Sequence, residues 1–270
     1  NDFNIANNIW TTIHNPITET MITTGNNIPS VDVEEEKYYN RNHSLERNKS
    51  VTIQVQNLHN KVIKNRVLLQ NVCDAIKSSG EKDISLLDLA CGKGGDIPKW
   101  RDNEISVCVG IDVIGNNILD PIDGACERYN HYKKNPRKDK KLPEAYFLKG
   151  DVSKNINNGD AFADQRFKDL FGELWNISNL GTNFSQKKFD IISVMFAIHY
   201  FFGSKKTLDI LIDNIDNNLK KGGYLIGTSF DGKRVHDLMK TNPHNEYKQY
   251  KSGQLIWKIK KNYTKSEFPE

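Results

Sequence analysis

Apolar positions first become periodic at Val51. Val51, Val55, Leu58, Val62, Leu69, Val72, Cys73 and Ile76 recur at three- and four-residue spacing, which predicts a long amphipathic helix that Ser79-Gly80 ends. The period then shortens. Ile84–Ala90 is a near-continuous apolar run and predicts a buried strand. It feeds the glycine-rich turn Cys91-Gly92-Lys93-Gly94-Gly95 and a helix from Asp96. Ser106–Ile111 predicts a second strand, closed by Asp112, and a helix follows over 116–131. A third strand, Ala145–Lys149, ends at Gly150-Asp151. Phe162, Phe167, Leu170, Phe171, Leu174 and Trp175 mark an amphipathic stretch before a fourth strand, Phe189–Met195. Helix Lys205–Leu219 leads through Lys221-Gly222-Gly223 into strand Tyr224–Ser229, and residues 254–260 form one more strand.

Strands alternating with helices predict an α/β domain whose mostly parallel sheet is wound on both faces. In such a sheet the ligand sits beyond the C-terminal strand ends, where strand order reverses. The residues at those ends are Gly92–Asp96, Asp112, Asp151 and Met195–Tyr200.

Residues 1–45 differ. They are polar, lack a steady period and are broken by Pro16, Gly25 and Pro29, so they read as an arm or linker ahead of a domain spanning 46–270. The start, Asn1-Asp2-Phe3-Asn4, has neither a Met nor the regions of a signal peptide, and reads as a piece of a longer chain. No run of about 18 apolar residues is present, so no membrane span is expected.

The 270 residues carry 38 basic and 34 acidic side chains, a net +4, which permits contact with nucleic acid without arguing for it. Lys133, Lys134, Arg137, Lys138, Lys140 and Lys141 make a basic loop over 133–141 that reads as a solvated face. Cys73, Cys91, Cys108 and Cys126 include no CxxC pair and have no paired His nearby. Zinc-site spacing is therefore absent, no metal is expected, and the thiols read as free in a reducing compartment.

Gly92 and Gly94-Gly95 let backbone approach a ligand directly before a helix N-terminus. A dinucleotide fingerprint would need a third glycine where Ile97 stands, which counts against a nucleotide-dependent oxidoreductase. Asp112 can accept from ribose hydroxyls, and Asp151 from an adenine amino group. Any one strand-end Asp can instead cap the helix that follows it. Three acidic or glycine-rich strand ends together point to a nucleoside.

Leu87-Asp-Leu-Ala-Cys-Gly-Lys-Gly-Gly-Asp96, Phe196-Ala-Ile-His-Tyr200 and Asn60-Lys-Val-Ile-Lys64 carry a specific resemblance. Together they resemble the messenger-RNA cap guanine-N7 methyltransferases, above all the methyltransferase module of capping enzymes of large cytoplasmic DNA viruses. Asn116–Tyr129 and Thr228-Ser-Phe-Asp-Gly232 are similar to the viral members, and the likeness covers roughly residues 37–235. It implies a class I, Rossmann-like S-adenosylmethionine-dependent fold with S-adenosyl-L-methionine as cofactor.

By the same resemblance Asp88, Ala90, Gly92 and Gly94 would line the methionine end of the cofactor, with Lys64 approaching from the N-terminal helix. Asp112 would hold the ribose, Asp151 and Val152 the adenine, and Met195 the methionine part, with Val113 also among the cofactor-binding residues. The family usually has Gly where Ala90 stands and often a polar residue where Met195 stands. Lys93, Lys99 and Arg128 resemble the cations that bind the cap triphosphate. Phe196, His199 and Tyr200 would meet the purine, and Asn60 matches the Asn that faces the guanosine.

Little acid–base chemistry is needed for that reaction. Guanine N7 has a free lone pair, so positioning by Asn60, His199 and Tyr200 is expected and His199 is not assigned as a base. The partners implied are a GpppN-capped RNA, RNA triphosphatase and guanylyltransferase domains upstream, and an activating subunit; the place is the cytoplasm (a viral factory or virion), or the nucleus if cellular. Family members carry a Glu-Tyr motif and a late Tyr beyond the point matching residue 270. Their absence here predicts a fragment that binds S-adenosylmethionine and methylates poorly. Two rival readings share the cofactor half: a methyltransferase for another substrate, and a non-catalytic methyltransferase-like subunit.

Overall fold

The structure, a computed structural model, describes residues 52–175, 188–240, 242 and 244–262. The arm expected over 1–45 lies outside the described residues, as do Val51 and the side chains of Leu174 and Trp175.

Helix α1 is one run of three stretches: Ile53–Asn57, Leu58–Gln70 and Asn71–Ser78. Then follow β1 (Ser85–Asp88), α2 (Ile97–Asp102), β2 (Val107–Asp112), α3 (Gly115–Leu119), α4 (Ala125–Lys134) and β3 (Glu144–Lys149). The second half holds α5 (Gln165–Trp175), β4 (Phe189–Met195), a 3₁₀ turn (Ile198–Gly203), α6 (Lys205–Asn218), β5 (Leu219–Thr228) and α7 (Gly232–Lys240). A separate hairpin, β6 (Glu246–Lys251) and β7 (Gln254–Lys260), closes the described chain.

Five strands form one sheet in the order β3-β2-β1-β4-β5, every pair parallel. The two-residue period of a strand sorts its side chains between two cores. Leu87, Val109, Leu148 and Ile192 point to one side, against Phe171 of α5 and Leu211 of α6. Leu86, Cys108, Phe147 and Ile191 point to the other, against Cys73 and Ile76 of α1, Trp100 of α2 and Ala125 of α4. Burial of each large apolar side chain contributes about 1.5–3 kcal/mol, so both layers hold the sheet. The strand order reverses between β1 and β4, and the C-terminal ends there open the crevice the sequence predicts.

Four local expectations differ from the structure. In α1 the stretch Leu58–Gln70 is wound as a π-helix, wider than an α-helix. Residues chosen for a 3.6 period therefore rotate off the core face: Val55 and Leu58 are exposed, and burial starts at Leu69. The helix expected over 116–131 is two helices, since Pro121 has no amide proton to donate and the chain turns at Asp120, whose carboxylate accepts from the Ile122 and Asp123 amides. The basic loop is partly helical, because α4 runs on through Lys134. Strand β5 begins at Leu219, ahead of the glycines, with a register shift opposite Phe189–Ile191 and Gly222 at φ +79°.

Strand β6 and helix α7 have no counterpart in the sequence reading. In β6 the alternation is of Tyr, Gln and Lys rather than of apolar residues. Among the described residues no helix is long and apolar enough to cross a membrane, and no His/Cys/Asp/Glu cluster could hold a metal. The four cysteines are unpaired thiols.

Candidate active site

The turn after β1 is the floor of the crevice. Gly92 donates its amide proton to Asp112 Oδ2 over 2.8 Å, which ties the turn to the end of β2. Gly92 has φ +53°, and a Cβ there would meet nothing within 4 Å, so the space above it is open. Gly94 is hemmed in by the fold itself. At φ +67°, a Cβ would lie 2.7 Å from Ile97 Cδ1 and 3.3 Å from Ala125 Cα; this glycine lets the turn pack on α2 and α4.

Three carboxylates mark the strand ends in different states. Asp88 is 2% exposed and accepts one hydrogen bond, from the Ala90 amide at 3.2 Å. Burial, with Asp96 nearby, pushes its carboxyl up to about 7. Asp112 accepts from Gly92, from the Ile114 amide (2.9 Å) and from Asn117 Nδ2 (3.0 Å). A carboxylate has about four acceptor positions, so one remains, on Oδ2. Burial raises the Asp112 pKa against those three donors. Asp151 is partly spent as a local cap: Oδ1 accepts from the Ser153 amide and hydroxyl, and Oδ2 lies 3.5 Å from Lys154. Val113 beside Asp112 is exposed, whereas the Val152 side chain is in the core and its carbonyl accepts from Asn214.

Two separate carboxylates gather the cations. Lys93 Nζ lies 2.5 Å from Asp123 Oδ1, and Arg128 approaches Oδ2 of the same residue at 3.8 Å while donating Nε to its carbonyl. Lys99 does not join them. It sits with Lys64 on Asp96, at 2.7 and 3.0 Å. Burial would raise the Asp96 pKa, but Lys64 and Lys99 hold it below the usual value.

Above the crevice α1 crosses the end of β4. The His59 ring lies 4.6 Å from that of Phe196, and the Phe230 ring lies 5.4 Å from the same Phe196 ring. Phe196 itself takes φ +57° while its amide donates to the Thr228 carbonyl, so its ring leaves the core and is 37% exposed. Asn60 is half-buried beside His59. His199 and Tyr200 are both exposed, with rings 4.1 Å apart, on the 3₁₀ turn that Ala197 and Phe201 anchor in the core. Met195 packs against the α1-side core and its sulfur accepts weakly from Thr228 Oγ1 at 3.8 Å. Ala90 is half-buried between Asp88 and the turn.

Three residues that the sequence reading left unassigned organise this site: Asp96, Asp123 and His59. Asp96 closes the glycine turn, and the sequence places it at the strand end and at the helix start without giving it a role of its own. Its side chain makes no cap bond and goes to the lysines instead. Asp123 follows Asp120 just before α4, which reads as turn chemistry alone. No local pattern marks His59, whose role comes from a contact far away in the chain.

The donor set suits a nucleoside that carries an amino acid. Asp88 offers buried, mostly unspent acceptors, Gly92 an open cradle, and Asp112 one lone pair between Gly92 and Val113. A parallel sheet of this order, with a glycine turn and acidic strand ends, defines the class I S-adenosylmethionine-dependent methyltransferase fold. Within that class, the chain belongs to the mRNA (guanine-N(7))-methyltransferase domain family, which it matches over residues 23–269. It is 30% identical over 244 residues to a probable mRNA-capping enzyme of Acanthamoeba polyphaga mimivirus, covering 89% of this chain and 20% of the relative. It is 30% identical over 145 residues to the mRNA cap guanine-N(7) methyltransferase of Schizosaccharomyces pombe (54% and 31% covered). Against that of Caenorhabditis elegans the identity is 28% over 184 residues (67% and 40%). The chain thus spans between a fifth and two fifths of the length of these curated relatives.

Proposed function

We propose that this chain methylates N7 of the terminal guanosine in GpppN-capped RNA, with S-adenosyl-L-methionine as donor. The observation that carries this reading is the turn at Lys93. Gly92 is hydrogen-bonded to Asp112, while the lysine pairs with Asp123, which Arg128 shares, so a nucleoside pocket and a cationic rim meet at one loop.

On the donor side, Asp88 would accept from the methionine ammonium, and Ala90, Gly92 and Gly94 supply the backbone wall. Asp112 accepts from one ribose hydroxyl, Val113 covers the base, and Asp151 and Val152 flank the adenine. Lys64 and Met195 stand at the methionine end. The donor supplies a methyl on a positively charged sulfur. On the acceptor side, Lys93 and Arg128 pair with the triphosphate in exchange for Asp123, and Lys99 acts through Asp96 at the boundary. Phe196, His199 and Tyr200 face the purine, with Asn60 above it.

Guanine N7 carries its lone pair at neutral pH, so no base has to remove a proton. The chain's residues align N7 with the methyl carbon, exclude water and tolerate the charge that moves onto the ring. His199 orients the purine and removes no proton.

The reading assigns residues 46–270 to the methyltransferase domain and 1–45 to an arm. It includes triphosphatase and guanylyltransferase domains upstream in the same polypeptide, an activating subunit, and a cytoplasmic viral factory or virion (or the nucleus, for a cellular protein). The test is the position of label. Incubation with methyl-labelled S-adenosylmethionine and a GpppA-capped RNA, then nuclease digestion, gives labelled m7GpppA even at low turnover. Label on an internal base, a ribose or a protein overturns the proposal.

A further inference from the structure

Residues 246–261 hold five lysines (248, 251, 258, 260 and 261) against one glutamate, Glu246. That net +4 equals the charge of the whole chain, so the other residues together are neutral. Register separates the hairpin's faces. Glu246 pairs with Lys260 and Lys248 with Lys258, which puts three lysines on one face. Tyr247 pairs with Ile259 and Gln249 with Trp257 on the other face, where the Tyr247 and Trp257 rings stack 5.3 Å apart at 27°.

Glu246 takes both Lys248 (2.5 Å) and Lys258 (3.2 Å), and one carboxylate cannot neutralise the set. Lys251 and Lys260 have no ion-pair partner among the described residues. Trp257 is 41% and Tyr250 53% exposed. The hairpin pairs only with itself and rests on α7 through β6. Helix α7 starts two residues after Phe230, whose ring packs on Phe196. Nine residues of helix, about 13 Å, therefore separate the aromatic end of the crevice from the hairpin.

We propose that the β6–β7 hairpin binds the single-stranded RNA that follows the cap. A strand along its edge meets lysine ammoniums with its phosphates, and the Tyr247–Trp257 pair with a base. Lysines on one face and a stacked pair with an exposed Trp257 on the other suit a nucleic acid that turns over the hairpin edge, since every base has a π-face and every nucleotide a charge. An acidic protein would use the lysines and leave the rings idle. That the strand is the cap's own RNA rests on the function proposed above; binding of RNA by the hairpin does not.

Fluorescence anisotropy tests it with three probes: an uncapped single-stranded 12-mer RNA, the same RNA with a GpppA cap, and GpppA alone. K248E/K258E/K260E lowers affinity for both oligonucleotides at least about tenfold and makes the salt dependence shallower by about 2 in log–log slope. W257A lowers it at least about fivefold, and W257F restores it. K251Q/K260Q lowers it less, in the same direction. Affinity for GpppA and for S-adenosylhomocysteine stays unchanged, which also reports that the variants are folded. Unchanged oligonucleotide affinity, an equal loss of GpppA, or loss of an acidic protein partner with RNA binding intact overturns the proposal. Were the cap reading alone at fault, GpppA would bind no form while the uncapped RNA still depended on the hairpin.

Discussion

The ring of His59 lies against that of Phe196, 4.6 Å away and tilted by 46°. This contact fastens the widely wound part of α1 to the end of β4, where Phe196 is held at φ +57°. Such a backbone costs a residue with a side chain about 1–3 kcal/mol and persists only where its surroundings enforce it. His59 Nε2 is buried with no hydrogen-bond partner among the described residues, and burial together with Lys64 lowers its pKa. H59A is expected to lower stability by about 1 kcal/mol and to weaken GpppA binding more than S-adenosylhomocysteine binding. H59F, which keeps the ring contact, retains the stability. Thermal unfolding and titration of each ligand decide it; equal losses of both ligands contradict it.

The two glycines that begin and end the Lys93 turn should fail in different ways. G94A drives a Cβ into Ile97 and Ala125 in a left-handed backbone and should cost about 2–3 kcal/mol of stability. G92A meets nothing, so only its φ costs, about 1 kcal/mol. Its methyl projects into the proposed cradle, and S-adenosylhomocysteine affinity falls. Chemical denaturation paired with calorimetry separates the two, and a G92A protein that binds normally would show that the cradle lies elsewhere.

Asp88 ties donor affinity to pH. Its carboxyl, at about 7, is largely protonated below neutrality in the unliganded fold, against an ordinary value of 3.8. The native state thus holds a proton that the unfolded chain releases. This group's contribution to stability is complete below about pH 4 and is lost as pH rises through 7. An ammonium placed beside Asp88 favours the charged form and expels that proton. Affinity for S-adenosylhomocysteine is therefore expected to climb from pH 5.5 to 7, by at most tenfold per unit, and then to level. D88N should bind weakly and lose this slope. A wild-type affinity that stays flat or falls over that range contradicts the placement.

Lys93 and Lys99, which look equivalent as cations one helical turn apart, are separated by their carboxylates. K93A frees Asp123 and should weaken GpppA at least about tenfold while leaving S-adenosylhomocysteine unaffected. K99A leaves Asp96 with Lys64 alone, so its larger effect should fall on S-adenosylhomocysteine. Equal effects of the two substitutions on GpppA would return Lys99 to the triphosphate.

Much of this was legible in the chain because parallel strands read as apolar runs and turns as glycine and aspartate. The strand Phe189–Met195 is found where its run places it, and the crevice residues follow from the strand ends. What was hidden depends on distance or on winding. The π-turns of α1 displace Val55 and Leu58 from the stripe that an α-helical period draws. Asp96 and Asp123 read as turn residues because Lys64 reaches Asp96 from 32 residues away and Lys93 reaches Asp123 from 30, although Lys99 is only three residues from Asp96. Strand β6 carries Tyr, Gln and Lys in alternation, which resembles a solvated segment until its partner β7 is seen.

The decisive measurement is a crossed titration of the wild type, D112A and K93E with S-adenosylhomocysteine and, separately, with GpppA. If a donor nucleoside rests on the acidic strand ends while an anionic cap lies across the lysine of the turn, D112A loses the first ligand and keeps the second, and K93E does the reverse. Both variants losing both ligands, or neither losing any, would contradict two pockets meeting at one loop.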